Sequence, residues 1–325
     1  MKLGWFCAAA VASLPFVSTL ACGEDYPVRF VTMVSPYAAG GGADLLARVV
    51  AQKLTDRLGK SFVVENRLGA GGVIAAASVA RAAPDGYTLF MGTSTQLAIQ
   101  VTLHKTLPYD PAADFVPVAL IASVPFVLMV NPSLPVRSVA DLIRLAKERP
   151  GELSYGSSGV GGPPHLYMEM LQTMTGIRMT HVPYKGTAQA IVDVVAGHIP
   201  IIFSDIAPAV ALLKEGRLRA LGISSGTRFE TLPDVPPLAE AGVPGFDAVA
   251  WTMLVAPAKT PKEIVDKLAA EVKSIVAAPD VRKLFIDTGN IPLSSPAPTA
   301  LQAYLKSEIV RWGKVVEQAG IAGSE

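Results

Sequence analysis

Residues 28–58 read VRFVTMVSPYAAGGGADLLARVVAQKLTDRL, and they contain a strand, a glycine-rich turn and a helix in succession. The apolar, β-branched run Val28 to Val34 predicts the strand, and apolar residues at helical spacing from Asp44 to Leu58 predict the helix. Gly40 to Gly42 lie between them, where backbone N–H groups can converge on a small anion at the start of the helix. The stretch therefore predicts a βα unit whose turn is a candidate binding site. The predicted buried face of the helix consists of Leu45, Val49, Leu54 and Leu58.

The same alternation of β-rich runs and helical periodicity continues along the chain, which predicts parallel sheets covered by helices, an α/β fold. Two helices have clear start signals, Ser138 with Asp141 and Thr260-Pro261 with Glu263, the second a capping box with proline at the first helical position. A last helix is predicted from about Thr299. Further strands are predicted at 62–65, 87–91, 116–122, 126–130, 153–157, 179–182, 199–203, 218–224 and 251–255.

Size and charge restrict the classes of protein that this chain can belong to. A chain of 325 residues that is 50% hydrophobic can bury a large core, and at this length one core usually divides into two lobes. The 28 basic and 27 acidic residues are interspersed and give a net charge of only +1. Since a nucleic-acid binder normally carries a basic stripe, we expect no nucleic-acid partner.

Residues 1–23 have the pattern of a secretory signal peptide: a positive start at Lys2, an apolar run, and small residues before Glu24. The prediction is export to the periplasm. A membrane anchor is one alternative for a run of this length, although Pro15 interrupts it. Lipid attachment at Cys22 is another, although Thr19 stands where such signals usually carry an aliphatic residue.

The two cysteines of the chain, Cys7 and Cys22, both lie in this leader. Residues 24–325 are therefore predicted to hold no disulfide, thiol nucleophile or cysteine-bound metal. The four histidines share no helical or hairpin spacing, so we expect neither a metal nor a cofactor.

Four turns that follow predicted strands are rich in glycine or hydroxyl groups, and they lie at 35–44, 92–96, 156–165 and 204–205. Open α/β sheets bind ligands at the carboxyl ends of their strands, so these turns are candidates for one site. Together they offer amide and hydroxyl donors that suit a carboxylate better than a cation. Tight βα turns are the alternative explanation for the glycines. His165, at the end of the third turn, could either donate to a ligand or stabilise the turn.

Gly222-Ile223-Ser224-Ser225-Gly226 matches the nucleophile elbow of serine hydrolases. An exported hydrolase using Ser224 is therefore an alternative function. Its context is poor, because an elbow needs a helix after the serine and prolines follow instead. The hydrolase order also requires a histidine after the serine, whereas all four histidines precede Ser224.

Eight strings of residues follow one another along the chain. They are Tyr26-Pro27-Val28-Arg29, Pro36 to Asp44, Val64-Glu65-Asn66-Arg67 with Gly69-Ala70-Gly71-Gly72, Ala83-Pro84-Asp85-Gly86-Tyr87-Thr88-Leu89 with Leu107-Pro108-Tyr109-Asp110, His181-Val182-Pro183-Tyr184-Lys185-Gly186, and Leu232-Pro233-Asp234-Val235-Pro236. In this order they resemble the Bug receptor family, the extracytoplasmic solute-binding receptors of tripartite tricarboxylate transporters. The resemblance runs from about Tyr26 to the C-terminus.

The resemblance implies a type II periplasmic-binding-protein fold, in which two α/β lobes close over a small carboxylated solute. The expected first lobe is 24–124 with 228–325, and the expected second lobe is 125–227. It also implies a monomeric receptor without enzymatic activity or cofactor, which presents its solute to a membrane permease of the tripartite tricarboxylate type. A sensor that reports the solute to a signalling partner is an alternative that uses the same closure.

Receptors of this family hold a solute carboxylate with backbone amides, hydroxyls and ordered water, without an arginine clamp. Carried over position by position, the implied ligand-binding residues are Tyr37, Ala38, Gly41, Asp44, Thr93, Thr95, Ser158, Gly159, His165, Ser204 and Asp205.

This chain departs from the family pattern in two of these turns. Gly161-Gly162-Pro163-Pro164 replaces hydroxyl-bearing residues of the third turn, and the prolines remove N–H donors. Phe203-Ser204-Asp205 moves the acid of the fourth turn by one place. The sequence therefore predicts a less polar solute than a simple dicarboxylate, such as an aromatic or amide-bearing carboxylate.

Overall fold

The computed structural model describes residues 26–325, so the predicted signal peptide at 1–23 and Cys22 lie outside the described residues. Strands and helices alternate along the described chain. The strands are β1 Val31–Ser35, β2 Phe62–Asn66, β3 Thr88–Thr93, β4 Phe115–Val124, β5 Phe126–Val130, β6 Ser154–Ser157, β7 Thr180–Pro183, β8 Ile201–Asp205, β9 Arg219–Ile223, β10 Ala250–Pro257 and β11 Ile291–Pro292. The helices are α1 Gly42–Leu58, α2 Val73–Ala80, α3 Gln100–Leu103, α4 Pro111–Asp114, α5 Val139–Glu148, α6 Pro163–Thr175, α7 Thr187–Ala196, α8 Ile206–Lys214, α9 Lys262–Ala277, α10 Pro279–Asp287 and α11 Pro298–Gln318.

The strands form two sheets that share one plan. The first sheet has the order β11-β4-β10-β3-β1-β2 and the second the order β7-β6-β8-β5-β9. In the first, β1 runs parallel to β2 and β3, and β10 is antiparallel to β3 and β4. In the second, β6 runs parallel to β7 and β8, and β5 is antiparallel to β8 and β9. Each sheet thus receives one antiparallel strand directly from the other lobe, and the predicted two-lobed α/β fold is confirmed.

The chain passes between the sheets at two places. Pro125 alone separates β4 of the first sheet from β5 of the second. The segment that returns to the first sheet is longer. It stays bonded to the end of β9 before β10 begins, because the Leu238 N–H donates to the Ile223 carbonyl and the Ala248 N–H to the Ser224 carbonyl, both at 2.8 Å. Because 236–248 remains beside β9, we propose a return crossing near 249 rather than the expected boundary after 227.

Ten predicted strands are present within a few residues of their predicted ends. The eleventh strand, β11, has two residues and ends in Pro292, so it carries no pattern that could predict it. The cap at Ser138 is also confirmed, because its Oγ accepts the Asp141 N–H at 3.1 Å. The predicted capping box at Thr260 is wrong: its hydroxyl donates to the Pro257 carbonyl and the helix begins at Lys262.

The predicted buried face of α1 is also partly wrong. Leu54 is buried, but Leu45, Val49 and Leu58 are only half-buried. Small side chains at the contact let the helix lie close to the sheet and to α9, which turns the alanine-bearing side inward. The buried residues of α1 are Asp44, Leu46, Ala47, Val50, Ala51 and Leu54.

Candidate ligand-binding site

Four segments at the carboxyl ends of strands are named here loop 1 (36–44), loop 2 (93–96), loop 3 (157–165) and loop 4 (204–205), of which the last consists of the final two residues of β8. Loops 1 and 2 lie at the ends of the parallel strands β1 and β3, and loops 3 and 4 at the ends of the parallel strands β6 and β8. Since parallel strands end at the same edge of a sheet, each lobe presents one pair of loops. The predicted residues are thereby gathered into two groups, one in each lobe.

Asp44 holds loop 1 from beneath. Its side chain is 1% exposed and accepts three hydrogen bonds, from the Gly40 N–H at 2.9 Å, Arg48 Nε at 2.7 Å and Asn66 Nδ2 at 2.7 Å. Asn66 Nδ2 also donates to the Tyr37 carbonyl at 2.8 Å. The carboxylate is therefore used to fix the loop, and both ends of the exposed segment 38–42 are anchored.

The charge state of Asp44 follows from these bonds. Burial alone would raise its pKa, but the hydrogen bonds from Arg48, Asn66 and the Gly40 N–H more than offset burial and hold the pKa below its usual range. Asp44 is therefore ionised at neutral pH, as its role as a triple acceptor requires.

Loops 1 and 2 are joined by a chain of hydroxyl and amide groups. Tyr37 Oη lies 2.8 Å from Thr93 Oγ1, and Thr93 donates its hydroxyl proton to Gln96 Oε1 at 2.9 Å. The Thr95 N–H donates to Thr93 Oγ1 at 3.3 Å. Gln96 Nε2 donates to the Gly71 carbonyl at 2.8 Å, which ties the network to the turn before α2. Tyr37, Thr93 and Thr95 are thus brought together.

The exposed part of loop 1 leads into the first turn of α1. Gly41 is the N-cap residue and lacks a capping side chain, and the N–H groups of Gly42, Ala43 and Asp44 have no partner within 26–325. The first turn of a helix presents these donors together with the positive end of the helix dipole. Ala38 and Gly41 border this turn, and both are exposed. The arrangement can accept a carboxylate.

Loop 3 uses much of its own donor capacity internally. The Gly159 N–H donates to Ser157 Oγ at 3.0 Å and the Gly162 N–H to the Gly159 carbonyl at 3.4 Å. Pro163 and Pro164, the first two residues of α6, have no N–H to offer. Ser158, which is half-buried, forms no side-chain hydrogen bond within the described residues, so its hydroxyl is available.

His165 stabilises this turn. Its Nδ1 accepts the Gly161 N–H at 3.1 Å, and the residue is 4% exposed. Its ring stacks on His181, with ring centroids 3.9 Å apart, and His181 in turn stacks on Tyr155. His181 Nε2 lies 2.6 Å from Ser157 Oγ, the residue that begins the loop. Both histidines thus support loop 3 from its buried side.

The two rings are neutral in the folded protein. Burial and the neighbouring His181 lower the pKa of His165 to about 3, and burial lowers the pKa of His181 to about 4. A neutral His165 is required for the bond from Gly161, because a protonated Nδ1 cannot accept.

Loop 4 places an acid at the boundary between the lobes. Ser204 is fully buried, and its hydroxyl donates to the carbonyl of Asp205 at 3.2 Å. Asp205 lies opposite Phe126, the first residue after the first crossing. Asp205 as a residue is half-buried, its carboxylate receives no hydrogen bond from another residue of the described chain, and burial raises its pKa to about 6.

The lobes touch each other next to loops 3 and 4. A β-carbon added to Gly161 would lie 2.3 Å from Leu103 Cδ2 of the first lobe. A β-carbon added to Gly289, before β11, would lie 3.1 Å from the backbone nitrogen of Ala207, two residues after Asp205. Both approaches are close enough that only glycine fits without movement, so the ends of the second-lobe loops lie against the first lobe.

Ser224 is separated from loop 4 by one strand, β5, and it has a structural role there. It is fully buried, its Oγ accepts the Phe126 N–H at 2.9 Å, and the residues after it form bends rather than a helix. A nucleophile elbow needs an accessible hydroxyl on a strand-to-helix turn, and this serine has neither.

Three residues that support the loops were not among the predicted site residues: Asn66, Gln96 and His181. The sequence signal for Asn66 and His181 was their place in strings that resemble the family. Their partners lie 22 and 24 residues away, at Asp44 and Ser157, and no local pattern links such distant positions.

Two surface cavities lie apart from the four loops. One, of about 470 Å³, is lined by residues of α5 and by Gly242, and the other, of about 530 Å³, lies between α8, β9 and 231–235. Neither is lined by a predicted site residue. Within 26–325, no three histidine, cysteine, aspartate or glutamate side chains gather closely enough to hold a metal. The same part of the chain contains no helix of the length and apolar character that crossing a membrane requires.

The two lobes have similar strand arrangements, and each presents a pair of loops that carry hydrogen-bond donors. This architecture is that of a two-lobed solute-binding protein. Comparison with known proteins identifies the family. The sequence pattern described as the tripartite tricarboxylate transporter family receptor matches residues 46–321, and the chain belongs to this family.

Solved structures agree with that assignment. A Rhodopseudomonas palustris protein solved with adipate is 41% identical, with a TM-score of 0.82 and coverage of 92% of this chain and 99% of that one. MatC of the same organism, solved with malate, is 37% identical, with a TM-score of 0.77 and coverage of 90% and 100%. BugD, described as a periplasmic binding protein, is 33% identical, with a TM-score of 0.78 and coverage of 91% and 99%. The resemblance to the Bug receptors is confirmed.

Proposed function

We propose that this protein is a periplasmic receptor that captures a small carboxylated solute between its lobes and presents it to a membrane permease of the tripartite tricarboxylate type. In this proposal it acts as a monomer, without a cofactor and without chemical conversion of the solute. Its membership of a receptor family supports the proposal, as does the likeness to proteins solved with adipate and malate.

The observation that carries the proposal is the first turn of α1. Three N–H groups that have no partner in the described chain lie there at the positive end of a 17-residue helix, in a loop fixed by Asp44 and by the bond between Tyr37 and Thr93. Loops 1 to 4 contain no lysine or arginine, so the donors are neutral. In our proposal Ala38, Gly41 and Thr95 contact one carboxylate of the solute, and Asp44 positions the loop without touching the solute.

The second lobe is proposed to bind the other end of the solute. Ser158 and Gly159 border that side, whereas Ser204 is fully buried beneath it and His165 supports the turn. Three of the loop 3 amides are used within the loop and two positions are proline, so few donors remain for a second carboxylate. Asp205 adds an unpaired acid, which repels an anion and accepts from a donor. We therefore propose a solute with a carboxylate at one end and an amide, hydroxyl or apolar group at the other.

Closure follows from this division of contacts. A solute held by loops 1 and 2 gains contacts to loops 3 and 4 only when the lobes come together, so it favours the closed form by the free energy of the added contacts. A permease can then distinguish the loaded receptor by shape. A sensor would use the same closure, and co-purification with a permease distinguishes the two roles.

Thermal unfolding tests the proposal. The panel is adipate, malate, benzoate and nicotinamide. Any of them that binds would add about 2.7 kcal/mol of stability at a hundredfold excess over its dissociation constant, a shift of several degrees. We expect a shift with at least one carboxylate and none with nicotinamide, which has no carboxylate. Stabilisation by no carboxylate, together with ester hydrolysis that Ser224→Ala abolishes, would contradict the receptor and support the hydrolase.

A further inference from the structure

One buried carboxylate in α11 is bonded to two tryptophans. Glu308 is 5% exposed, and its Oε2 accepts Trp251 Nε1 at 2.7 Å and Trp312 Nε1 at 3.0 Å. Its Oε1 accepts Arg311 Nη1 at 3.2 Å. The chain has three tryptophans, and the third, Trp5, lies in the predicted leader. Three donors on one buried carboxylate fix the two indole rings relative to each other.

This cluster lies where the chain passes between the lobes. Trp251 is the second residue of β10 and pairs with Ser123, next to the end of β4. Arg311 also donates to the backbone carbonyl of Asp247, just before the return crossing, and the Asp247 carboxylate accepts the Gly226 N–H at 3.0 Å. Helix α11 therefore holds both crossings from one side.

The two tryptophans differ in what their rings touch. Trp251 packs against Tyr304 of α11, within the first lobe. Trp312 stacks on Tyr167 of α6, with ring centroids 5.8 Å apart and an interplanar angle of 26°. Tyr167 also packs edge-on against Phe126 and Phe203, which belong to the second sheet. The contact between Trp312 and Tyr167 thus joins the lobes.

Tyr167 is connected to the proposed site through its own helix. It lies two residues after His165, in the helix that begins at the end of loop 3. Its hydroxyl is buried and has no hydrogen-bond partner in the described part of the chain. A buried hydroxyl without a partner is unfavourable, so a movement of α6 that gave the Tyr167 hydroxyl a partner would stabilise that group.

We propose that Trp312 and Tyr167 form the pivot on which the lobes move when a solute binds, and that Glu308 is the residue that positions Trp312. The proposal rests on the proposed receptor function. None of these residues belongs to loops 1 to 4, so they act on solute binding through the relative position of the lobes. Trp251, bonded to the same carboxylate but packed within one lobe, stays fixed.

Single-tryptophan variants test the pivot. Trp251→Phe leaves Trp312 as the reporter, and Trp312→Phe leaves Trp251. The two variants are matched, because each removes one indole N–H from Glu308. A variant with both substitutions measures the background from Trp5. We expect a solute that raises the melting temperature to shift the emission of the Trp251→Phe protein and to leave that of the Trp312→Phe protein unchanged.

Affinity gives a second readout. Trp312→Phe should change the dissociation constant of the bound solute at least threefold, while Trp251→Phe changes it less than twofold. A solute that raises the melting temperature while the emission of Trp312 stays constant would overturn the pivot and leave the receptor function intact. Equal effects of the two substitutions on affinity would overturn it as well.

An experiment without any solute tests the pivot independently of the receptor function. A β-carbon at 161 would lie 3.3 Å from Leu103 Cγ, the position that the sulfur of Leu103→Cys takes, so Leu103→Cys and Gly161→Cys bring their side chains within reach of each other for a disulfide. In the Trp251→Phe background, oxidation of this pair should shift the emission of Trp312, and reduction should reverse the shift. Leu103→Cys alone is the control. If this crosslink moves the emission but no carboxylate stabilises the protein, the receptor function fails while the pivot stands; a crosslink without an emission change overturns the pivot.

Discussion

Gly161 of loop 3 lies against Leu103 of the first lobe so closely that a β-carbon at 161 would come within 2.3 Å of Leu103 Cδ2. Leu103 is 4% exposed and packed in the core, so it cannot simply turn away. The position is also left-handed, with φ at +69°. Glycine at 161 therefore serves both the turn and the contact between the lobes.

Gly161→Ala should lower both the melting temperature and the affinity for solute. Gly176→Ala is the matched control. Gly176 follows α6, the helix that begins in loop 3; its φ is +68°, and nothing lies within 4 Å of its added β-carbon. Both variants carry about 1–2 kcal/mol of backbone strain, but only the first also clashes across the lobes. Thermal unfolding and calorimetric titration measure the two effects. An equal loss in both variants would show that the lobes do not touch at Leu103 in solution.

Asp205 should make the binding of dicarboxylates depend on pH. Its pKa is raised to about 6, so the acid is ionised at pH 8 and largely protonated at pH 5. Above pH 6 its charge repels a second carboxylate, and adipate should therefore bind several-fold more tightly at pH 5 than at pH 8.

Asp205→Asn removes this charge. The affinity of the variant for adipate should then change with pH only because adipate itself titrates, an effect that the native protein and the variant share. Asp234→Asn, at an exposed acid outside the loops, controls for overall charge. Calorimetric titration at several pH values measures the difference. The same pH profile in the native and Asp205→Asn proteins would place Asp205 away from the solute.

The stacked histidines should make the protein less stable in acid. Unfolded histidine takes up a proton below about pH 6.5, whereas folded His181 and His165 do so only near pH 4 and pH 3. The unfolded state therefore binds more protons in this window, and the free energy of unfolding falls as the pH drops from 6.5 to 4. At its steepest the loss is about 1.4 kcal/mol per pH unit for each histidine.

Urea unfolding at pH 7 and pH 5 measures this loss. Asp205 acts in the opposite direction, since its raised pKa lets the folded state bind more protons between about pH 6 and its ordinary value near 3.8. The comparison is therefore made in the Asp205→Asn background. His165→Gln should reduce the pH dependence, because it removes the buried ring whose pKa is lowered furthest. An unchanged slope in His165→Gln would contradict the neutral stacked pair.

Asp44 should matter for binding although, in the proposed site, it does not contact the solute. Asp44→Asn keeps the shape but loses the charge that three donors share, and hydrogen bonds to charged groups contribute about 1.5–3 kcal/mol. We expect loop 1 to loosen and solute affinity to fall about tenfold. Glu271→Gln is the control, since it breaks an exposed ion pair with Arg57 and should change stability by less than about 1 kcal/mol. Full affinity in Asp44→Asn would mean that loop 1 does not need its anchor.

Particular residues show how far the sequence alone could reach. The strands followed from β-branched runs bounded by turns, because period and composition are local properties. The buried face of α1 did not follow, since Leu45 and Val49 have the same spacing of four as the buried Leu46 and Val50, and only packing against the rest of the fold selects between the two rows. Asp44 was visible as an acid in a first helical turn. Its role was not visible, because it depends on Asn66, which another strand brings to it.

The last prediction compares two buried tyrosine hydroxyls. Tyr109 Oη lies 2.8 Å from the Gln96 carbonyl and 2.9 Å from Gln100 Oε1, whereas Tyr167 Oη has no partner within 26–325. Tyr109→Phe should lower the free energy of unfolding by about 1–2 kcal/mol, because it leaves acceptors of loop 2 and α3 unpaired in the core. Tyr167→Phe loses no bond and removes a buried polar group, so it should be neutral or stabilising. Urea unfolding of the two variants measures the two free energies of unfolding. If Tyr167→Phe lowers the free energy as much as Tyr109→Phe does, the Tyr167 hydroxyl is hydrogen-bonded in solution, and Tyr167 does more than pack its ring against Trp312.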